Sequence, residues 1–280
     1  MRRLALGLGL ALLVAGCDEH ETRITHYKRG VTWSEIQLLH GVPDGRWRTW
    51  YPDGSPKSDG SYGNGRRTGA WSTWHANGKK KSAGSYVDGV VDGLWEFWFE
   101  SGLSASRGAY VQGRVDGVWT WWYSTGVPRS EVEYEDGLQS GRSVKYYEDG
   151  RTLEERHYRA GRLHGPLTLY YPNGERQEER HYVGDVRQGL QTSWHDNGNL
   201  MARGDYVDGT ASGEWVVKQK SGSINERRSG VYEGGKKVAP LREDHEERTS
   251  GAAPPETRSE TPSSPAEADG AGESTESDGS

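Results

Sequence analysis

The large apolar positions of this chain are mostly aromatic, and they recur on a 24-residue clock. Trp47, Trp71, Trp95, Trp119 and Trp215 form one series. Trp50, Trp74, Trp98, Trp122, Tyr146, Tyr170 and Trp194 form a second, three residues later in each unit. Tyr62, Tyr86, Tyr110, Tyr134, Tyr158, Tyr182 and Tyr206 form a third. Two glycine series keep the same interval without a break through eight units, from Gly45 to Gly213 and from Gly54 to Gly222. Ten of the 12 tryptophans fall in the first two aromatic series, so most Trp is scaffold. A fixed internal period of this length is the signature of a repeat architecture.

Each second-series glycine follows a turn residue: Asp53, Asn77, Ser101, Thr125, Asp149, Asn173, Asn197 or Ser221. Asn-Gly and Asp-Gly favour two-residue type I′ hairpin turns, in which both central residues need positive φ. That turn predicts a register in which Trp47 faces Gly60 and Tyr62 faces Gly45. A ring lying over an opposing glycine is a known way to stabilise a sheet. The pairing has an internal check. Where Trp gives way to Ser143 and Leu167, the facing glycine gives way to Arg156 and Arg180. Three units break this rule: Trp119 faces Val132, Gln191 faces Gly204 and Trp215 faces Arg228. A further turn follows each Tyr, as in Asn64-Gly65, Asp88-Gly89, Asp136-Gly137 and Asp208-Gly209. The expected fold is therefore all-β, an elongated meander of eight tandem hairpins. At about 4.8 Å between strands it would form a rod about 75–80 Å long. A degenerate unit with His26-Tyr27, Gly30 and Gly41 precedes the first and fits an N-terminal cap.

Composition agrees with this picture. Only 32% of residues are hydrophobic, with 40 Gly, 15 Tyr and 2 Phe. Net charge is −6, but Leu241 to Ser280 alone holds 11 acidic and 3 basic residues. The rest of the chain is close to neutral, and no basic field favours nucleic acid. Beyond Val238 the motif stops. From Thr249 onward Ser, Thr, Pro, Glu, Gly and Ala dominate, too little apolar surface to offset ordering entropy. A disordered acidic tail is expected over 239–280.

The first residues read as an address. Met1-Arg2-Arg3 is positive, Leu4 to Leu13 is a ten-residue run of Leu, Ala and Gly, and Val14-Ala15-Gly16-Cys17 follows. This is the layout of a secretory signal, and the run is too short to span a bilayer. The last four residues resemble the lipobox of bacterial lipoproteins. The resemblance implies cleavage before Cys17, its lipidation, and a home in the bacterial cell envelope; which membrane stays open. The expected domains are a signal peptide at 1–16, a linker and cap repeat at 17–44, the repeat domain at 45–238 and the tail.

The pattern G-x-W-x-x-W-Y-x-D/N-G with a later Y-x-x-G resembles the MORN-repeat-variant family, over about Gly45 to Gly234. That family is commonly associated with YwqK-type antitoxins. The resemblance implies a binding scaffold, in its sharpest form an immunity protein that blocks a protein toxin at the envelope.

Candidate chemistry is sparse. No phosphate-binding loop, nucleophile elbow or H-E-x-x-H is present, and no cofactor or metal is expected. Glu154-Glu155-Arg156-His157-Tyr158 recurs as Glu178-Glu179-Arg180-His181-Tyr182, but equivalent positions lie two strands, about 9–10 Å, apart. That is too far for one zinc ion to join without large convergence. His75 and His195 occupy the slot of Tyr51, Tyr123, Tyr147 and Tyr171, and read as aromatic substitutes. Lys79-Lys80-Lys81 reads as an exposed basic turn. Units five to seven lose the first Trp and carry Tyr146, Tyr147, Arg156, Tyr170, Tyr171 and Arg180. Tyr and Arg are enriched in binding hot spots, so these six are the candidate partner-binding residues, against the alternative of drift in a tolerant repeat. The reading is a monomeric, lipid-anchored protein that is not an enzyme and binds a protein partner, a toxin or an envelope protein. The alternative is a structural envelope lipoprotein that contacts glycan or lipid.

Overall fold

A computed structural model describes residues 20–27 and 30–241. The expected signal, Cys17 and residues 242–280 of the tail lie outside the described residues. All the described regular structure is β: 20 strands, each paired antiparallel with its sequence neighbour, in one open meander sheet. The degenerate N-terminal segment makes the first hairpin, β1 (Glu21–His26) and β2 (Thr32–Leu39), continuous with the repeats. β3 (Val42–Trp50), β4 (Pro56–Gly63) and β5 (Arg66–Trp74) show the unit that then recurs.

The expected register is present: Gly45 pairs with Tyr62 and Trp47 with Gly60. The turn that produces it is a different one. Asp53 does not have positive φ; Gly54 alone does, at 88°. Tyr51 N–H donates to Ser55 O at 2.8 Å and Gly54 N–H to Tyr51 O at 2.9 Å. This is a three-residue loop, a type I turn closed by a left-handed glycine. Its extra residue is absorbed by a bulge between Thr49 and Trp50, which returns the strands to the register of a two-residue loop. The physical reason lies along the row. Thr125 occupies the place of Asp53, and a β-branched residue is strained at positive φ, whereas the type I turn admits it. Asp53 instead uses its carboxylate, which accepts from Ser55 N–H at 2.9 Å. The other turn is as expected: Asn64 and Gly65, at φ 48° and 78°, make the type I′ connection from β4 to β5.

The core is a column of tryptophans on one face of the sheet, called here the ladder face. Trp71, Trp95, Trp119 and Trp215 are at most 8% exposed. Each ring sits on a glycine, though not on the one it was expected to cover. A Cβ built on Gly60 would lie 2.3 Å from the ring of Trp71, the tryptophan of the following strand. Trp95 fills Gly84, Trp119 fills Gly108 and Trp215 fills Gly204 in the same way. In this pairing the exceptions in the sequence disappear: Val132 meets Ser143 and Arg156 meets Leu167, and the register of Glu178 with Ser193 and Glu179 with Thr192 extends to Arg180 opposite Gln191. Every slot glycine has its Trp, and among the other slot residues only Ile36, in the N-terminal hairpin, faces one, Trp47.

The reason for the preference is a bulge. Register shifts between Asp59 and Ser61, Ala83 and Ser85, Arg107 and Ala109, and Arg203 and Asp205. At each, the indole N–H of the next Trp donates to the carbonyl of the last-named residue, at 3.2, 3.1, 2.9 and 3.1 Å. A buried carbonyl that the ladder leaves without a partner is costly, and the slot glycine lets the ring come close enough to satisfy it. Tyrosines interleave edge-on, with Tyr62–Trp71, Tyr86–Trp95 and Tyr110–Trp119 centroids 5.4, 5.2 and 5.0 Å apart. Such contacts add about 0.5–1.5 kcal/mol each beyond area burial.

The last unit departs from the expected register. Trp215 pairs with Gly230, not Arg228. The loop after Lys218 is longer, and the buried Ser229 hydroxyl ties it back to Val217 N–H and O at 2.8 and 3.0 Å. Tyr232 then takes the place of the repeat tyrosine against Trp215.

Candidate functional site

A third row stitches unit to unit. The hydroxyls of Tyr27, Tyr51, Tyr123, Tyr147 and Tyr171 donate to the carbonyls of Trp50, Trp74, Tyr146, Tyr170 and Trp194, at 2.8–3.0 Å. His75 and His195 occupy the same slot and bond the carbonyls of Trp98 and Lys218 through Nε2, at 2.9 and 3.1 Å. They are aromatic substitutes with a ring N–H where Tyr has its hydroxyl. Phe99 stands in this row without a donor. Phe99→Tyr is therefore expected to stabilise the protein by about 1 kcal/mol, the usual net worth of one hydrogen bond. Thermal denaturation measures it, and a lower melting temperature would contradict the role given to the row.

The six candidates of units five to seven are not brought to one patch. Tyr147 and Tyr171 are in the stitching row just described. Arg156 and Arg180 lie on the ladder face, filling the slots that glycine holds elsewhere. Arg156 Nη2 meets Glu154 at 2.5 Å, and Glu154 also meets Lys145 at 3.1 Å. Arg180 pairs with Glu178 and lies against the Tyr182 hydroxyl. The Glu178 carboxylate holds the Arg180 guanidinium above its ordinary range. Burial pushes Tyr182 up, but hydrogen bonds from Arg180 and Arg187 outweigh it and hold the phenol below its ordinary value. Tyr146 and Tyr170 sit on the opposite face, half-buried. Burial raises both, with Glu131 adding to it at Tyr146 and Glu155 at Tyr170, so they remain neutral hydroxyls. Cys17 lies outside the described residues.

A concavity among the described residues lies elsewhere, on the ladder face over the first two units. It is a groove of about 540 Å³ lined by Trp33, Trp47, Trp71, Trp74 and Trp95, with Tyr51, Tyr86, Lys57, Arg67 and Lys81 at its margins. Its floor is two pairs of short side chains, Thr49 with Ser58 and Thr73 with Ser82, each pair joined hydroxyl to hydroxyl. In the next units the same row holds Phe97 and Trp121, which stack against Trp95 and Trp119 at 5.9 and 5.8 Å and fill the space. The row holds six consecutive Ser or Thr positions, from Thr25 and Ser34 to Ser82, and the groove lies over the last four of them. Arg67 spans the margin, its guanidinium 4.7 Å from the Trp71 centroid and donating to the Tyr86 hydroxyl at 3.0 Å. Burial pulls its pKa down, and the Tyr62 and Tyr86 hydroxyls more than offset that. Sequence reasoning missed this site. The signal was available in the row Thr49, Ser58, Thr73, Ser82, Phe97, which becomes a row only once the strands are in register.

Fold and ladder together define a hairpin-repeat scaffold built as a single sheet. Five of its segments, residues 43–64, 67–88, 115–136, 163–183 and 187–208, match the MORN repeat variant. No curated protein sequence matches the chain. Among solved structures it is similar to one chain of "Crystal Structure of TcdB2-TccC3-Cdc42", at 10% identity and a TM-score of 0.19. That match covers 75% of this chain and 13% of the other, and it is too slight to bear on function.

Proposed function

We propose that this chain is a binding protein of a bacterial envelope, not an enzyme, tethered through Cys17 and using the groove over its first two units to hold its ligand. One observation carries this reading. The aromatic ladder is closed by Phe97 and Trp121 in the following units but left open over Ser and Thr in units one and two, with three cations at the rim. A concave, largely apolar surface with a few convergent polar groups is the usual form of a binding site. The test presents isolated cell-wall sacculi, lipid vesicles and solubilised envelope proteins separately to the purified chain. Retention on one of them, lost when Trp33→Ala and Trp47→Ala are combined, is the expected result; retention untouched by that pair would move the site off the groove.

A protein partner, such as a toxin, on units five to seven is the second reading. It is favoured by Tyr146 and Tyr170, half-buried one repeat apart on the face opposite the groove. Tyr146→Ala with Tyr170→Ala is the sound variant for it, because Arg156 and Arg180 are engaged within the sheet. The tether has its own test. Cys17→Ser is expected to remove the lipid and shift the protein from detergent to aqueous phase, since stable anchoring needs more than one acyl chain's worth of attachment. Unchanged partitioning, with no lipid mass on the unaltered protein, would remove the anchor.

A further inference from the structure

We propose that the groove binds a segment of anionic glycan, with Trp47 as the central platform; this rests on the groove being the binding surface. Trp47 is the one tryptophan of the ladder column that is not seated. The slot it faces on the preceding strand holds Ile36 where the others hold glycine. Trp71, Trp95 and Trp119 are buried on their glycines and donate their indole N–H to a carbonyl. Trp47 is only half-buried, and its indole N–H donates no hydrogen bond among the described residues. An isoleucine side chain in the slot keeps the ring out; the ring leans on Trp71 and on the edge of Tyr62, at 5.2 and 6.1 Å between centroids, and its indole donor is left to a ligand.

The surroundings give the ligand its chemistry. Trp33 is 48% exposed and, with half-buried Tyr51, adds flat ring surface along the groove. The apolar face of a pyranose ring matches such surfaces. In each floor pair one hydroxyl proton is spent within the pair, so one O–H and several lone pairs remain for a sugar hydroxyl. Lys57, Arg67 and Lys81 line the groove and no carboxylate does. None of the three is in an ion pair among the described residues, so the recess favours a ligand with carboxylate or phosphate groups. The groove runs across strands from β2 to the strand Val90–Trp98, about 24 Å at sheet spacing, which suits a chain of several sugars. A peptide that binds a sheet typically adds a strand to a free edge. The strands under this groove are paired on both sides and offer no edge. The rings line a recess, so they do not project as an anchor into lipid.

Calorimetry and tryptophan fluorescence on the purified full-length chain test this with four probes: oligogalacturonate, neutral cello-oligosaccharide, poly-glutamate and phosphatidylglycerol vesicles. Oligogalacturonate is expected to bind and to be weakened by salt. Trp47→Ala, and Lys57→Ala with Lys81→Ala, should each weaken it about tenfold or more, the scale of a binding hot spot. Trp33→Ala should weaken it too, at a site too exposed to threaten folding. Ile36→Gly is the sharpest variant. It opens the slot, so Trp47 should seat, its emission should shift to the blue, and oligogalacturonate binding should fall without loss of fold. Cello-oligosaccharide binding equally well would overturn the anionic requirement. Poly-glutamate or vesicles binding with the same sensitivity to Trp47→Ala would overturn the glycan, as would no binding of any probe. If the glycan fails while the groove variants still abolish retention on envelope material, the groove stands as the site; if retention also survives them, both readings fall.

Discussion

Gly84→Val is expected to cost about 3 kcal/mol, at the upper end for overpacking a filled site. A Cβ at this position would lie 2.2 Å from the Trp95 ring. The ring has no free rotamer to retreat to, because it is edge-packed by Tyr86 and stacked on Phe97. Displacing it also breaks the indole bond to the Ser85 carbonyl. Trp95→Ala, which keeps the glycine and removes the ring, should cost about 3–5 kcal/mol. Trp47→Ala should cost clearly less, since that ring is only half-buried. The chain itself supplies a rescue. Gly84→Arg alone should be as damaging as Gly84→Val, but with Trp95→Leu and Ser82→Glu it reproduces the set Arg156, Leu167 and Glu154 and should regain part of the loss. The coupling between the glycine and tryptophan positions, about 1–3 kcal/mol for groups in contact, is read from chemical denaturation of the single and combined variants. Additive losses would show that ring and slot do not act as a unit.

Arg180→Ala is expected to cost about 2 kcal/mol, a figure below that for a fully buried pair because the site is partly open to water. It leaves the Glu178 side chain, 13% exposed, without its cation, and leaves the Gln191 amide as its only partner there. Adding Glu178→Ala should recover much of the loss, since an apolar pair is no worse than an imperfect ionic one. Arg180 Nε and Gln191 Oε1 are already buried without partners. A melting temperature unchanged by Arg180→Ala would return this side chain to the candidates for direct contact with a partner.

The period, the strand count per unit and the register were legible because they rest on pairwise spacing within one hairpin. Trp47 against Gly60 and Tyr62 against Gly45 follow from the residue count across a loop, and the count is the same for two loop geometries. The loop geometry was not legible at Asp53-Gly54, because those residue types suit both, and only Thr125 in the same row distinguishes them. What covers Gly60 was misread for a related reason. The ring comes from the next hairpin, and a contact between units is invisible to a reading that stops at the unit. The last unit went astray because two residues inserted before Ser229 leave no mark on either glycine series. The binding candidates fared unevenly. Tyr146 and Arg156 are close in sequence and share a hairpin, but the sheet sends them to opposite faces. The groove needed four Ser and Thr positions on four strands and a Trp33 that belongs to no series.

The slot and its ring lie in different copies of the sequence motif, and this sets which rearrangements of the gene the protein survives. Removing one whole period is silent only if the new junction still joins a glycine to a tryptophan. Deleting residues 69–92 places Trp95 after Gly60, a matched junction. Deleting residues 117–140, an excision of the same length, places Ser143 after Gly108 and leaves a hole with an orphaned carbonyl. Units one to three can thus lose or gain members among themselves, and units five and six among themselves, whereas unit four, with Trp119 and Val132, and unit seven, with Gln191 and Gly204, are the joints between the two kinds. Recombination between the two groups must carry its compensating change with it. The chain is two interchangeable stocks of hairpins spliced at Val132 and Ser143, where neither partner is a tryptophan or a glycine.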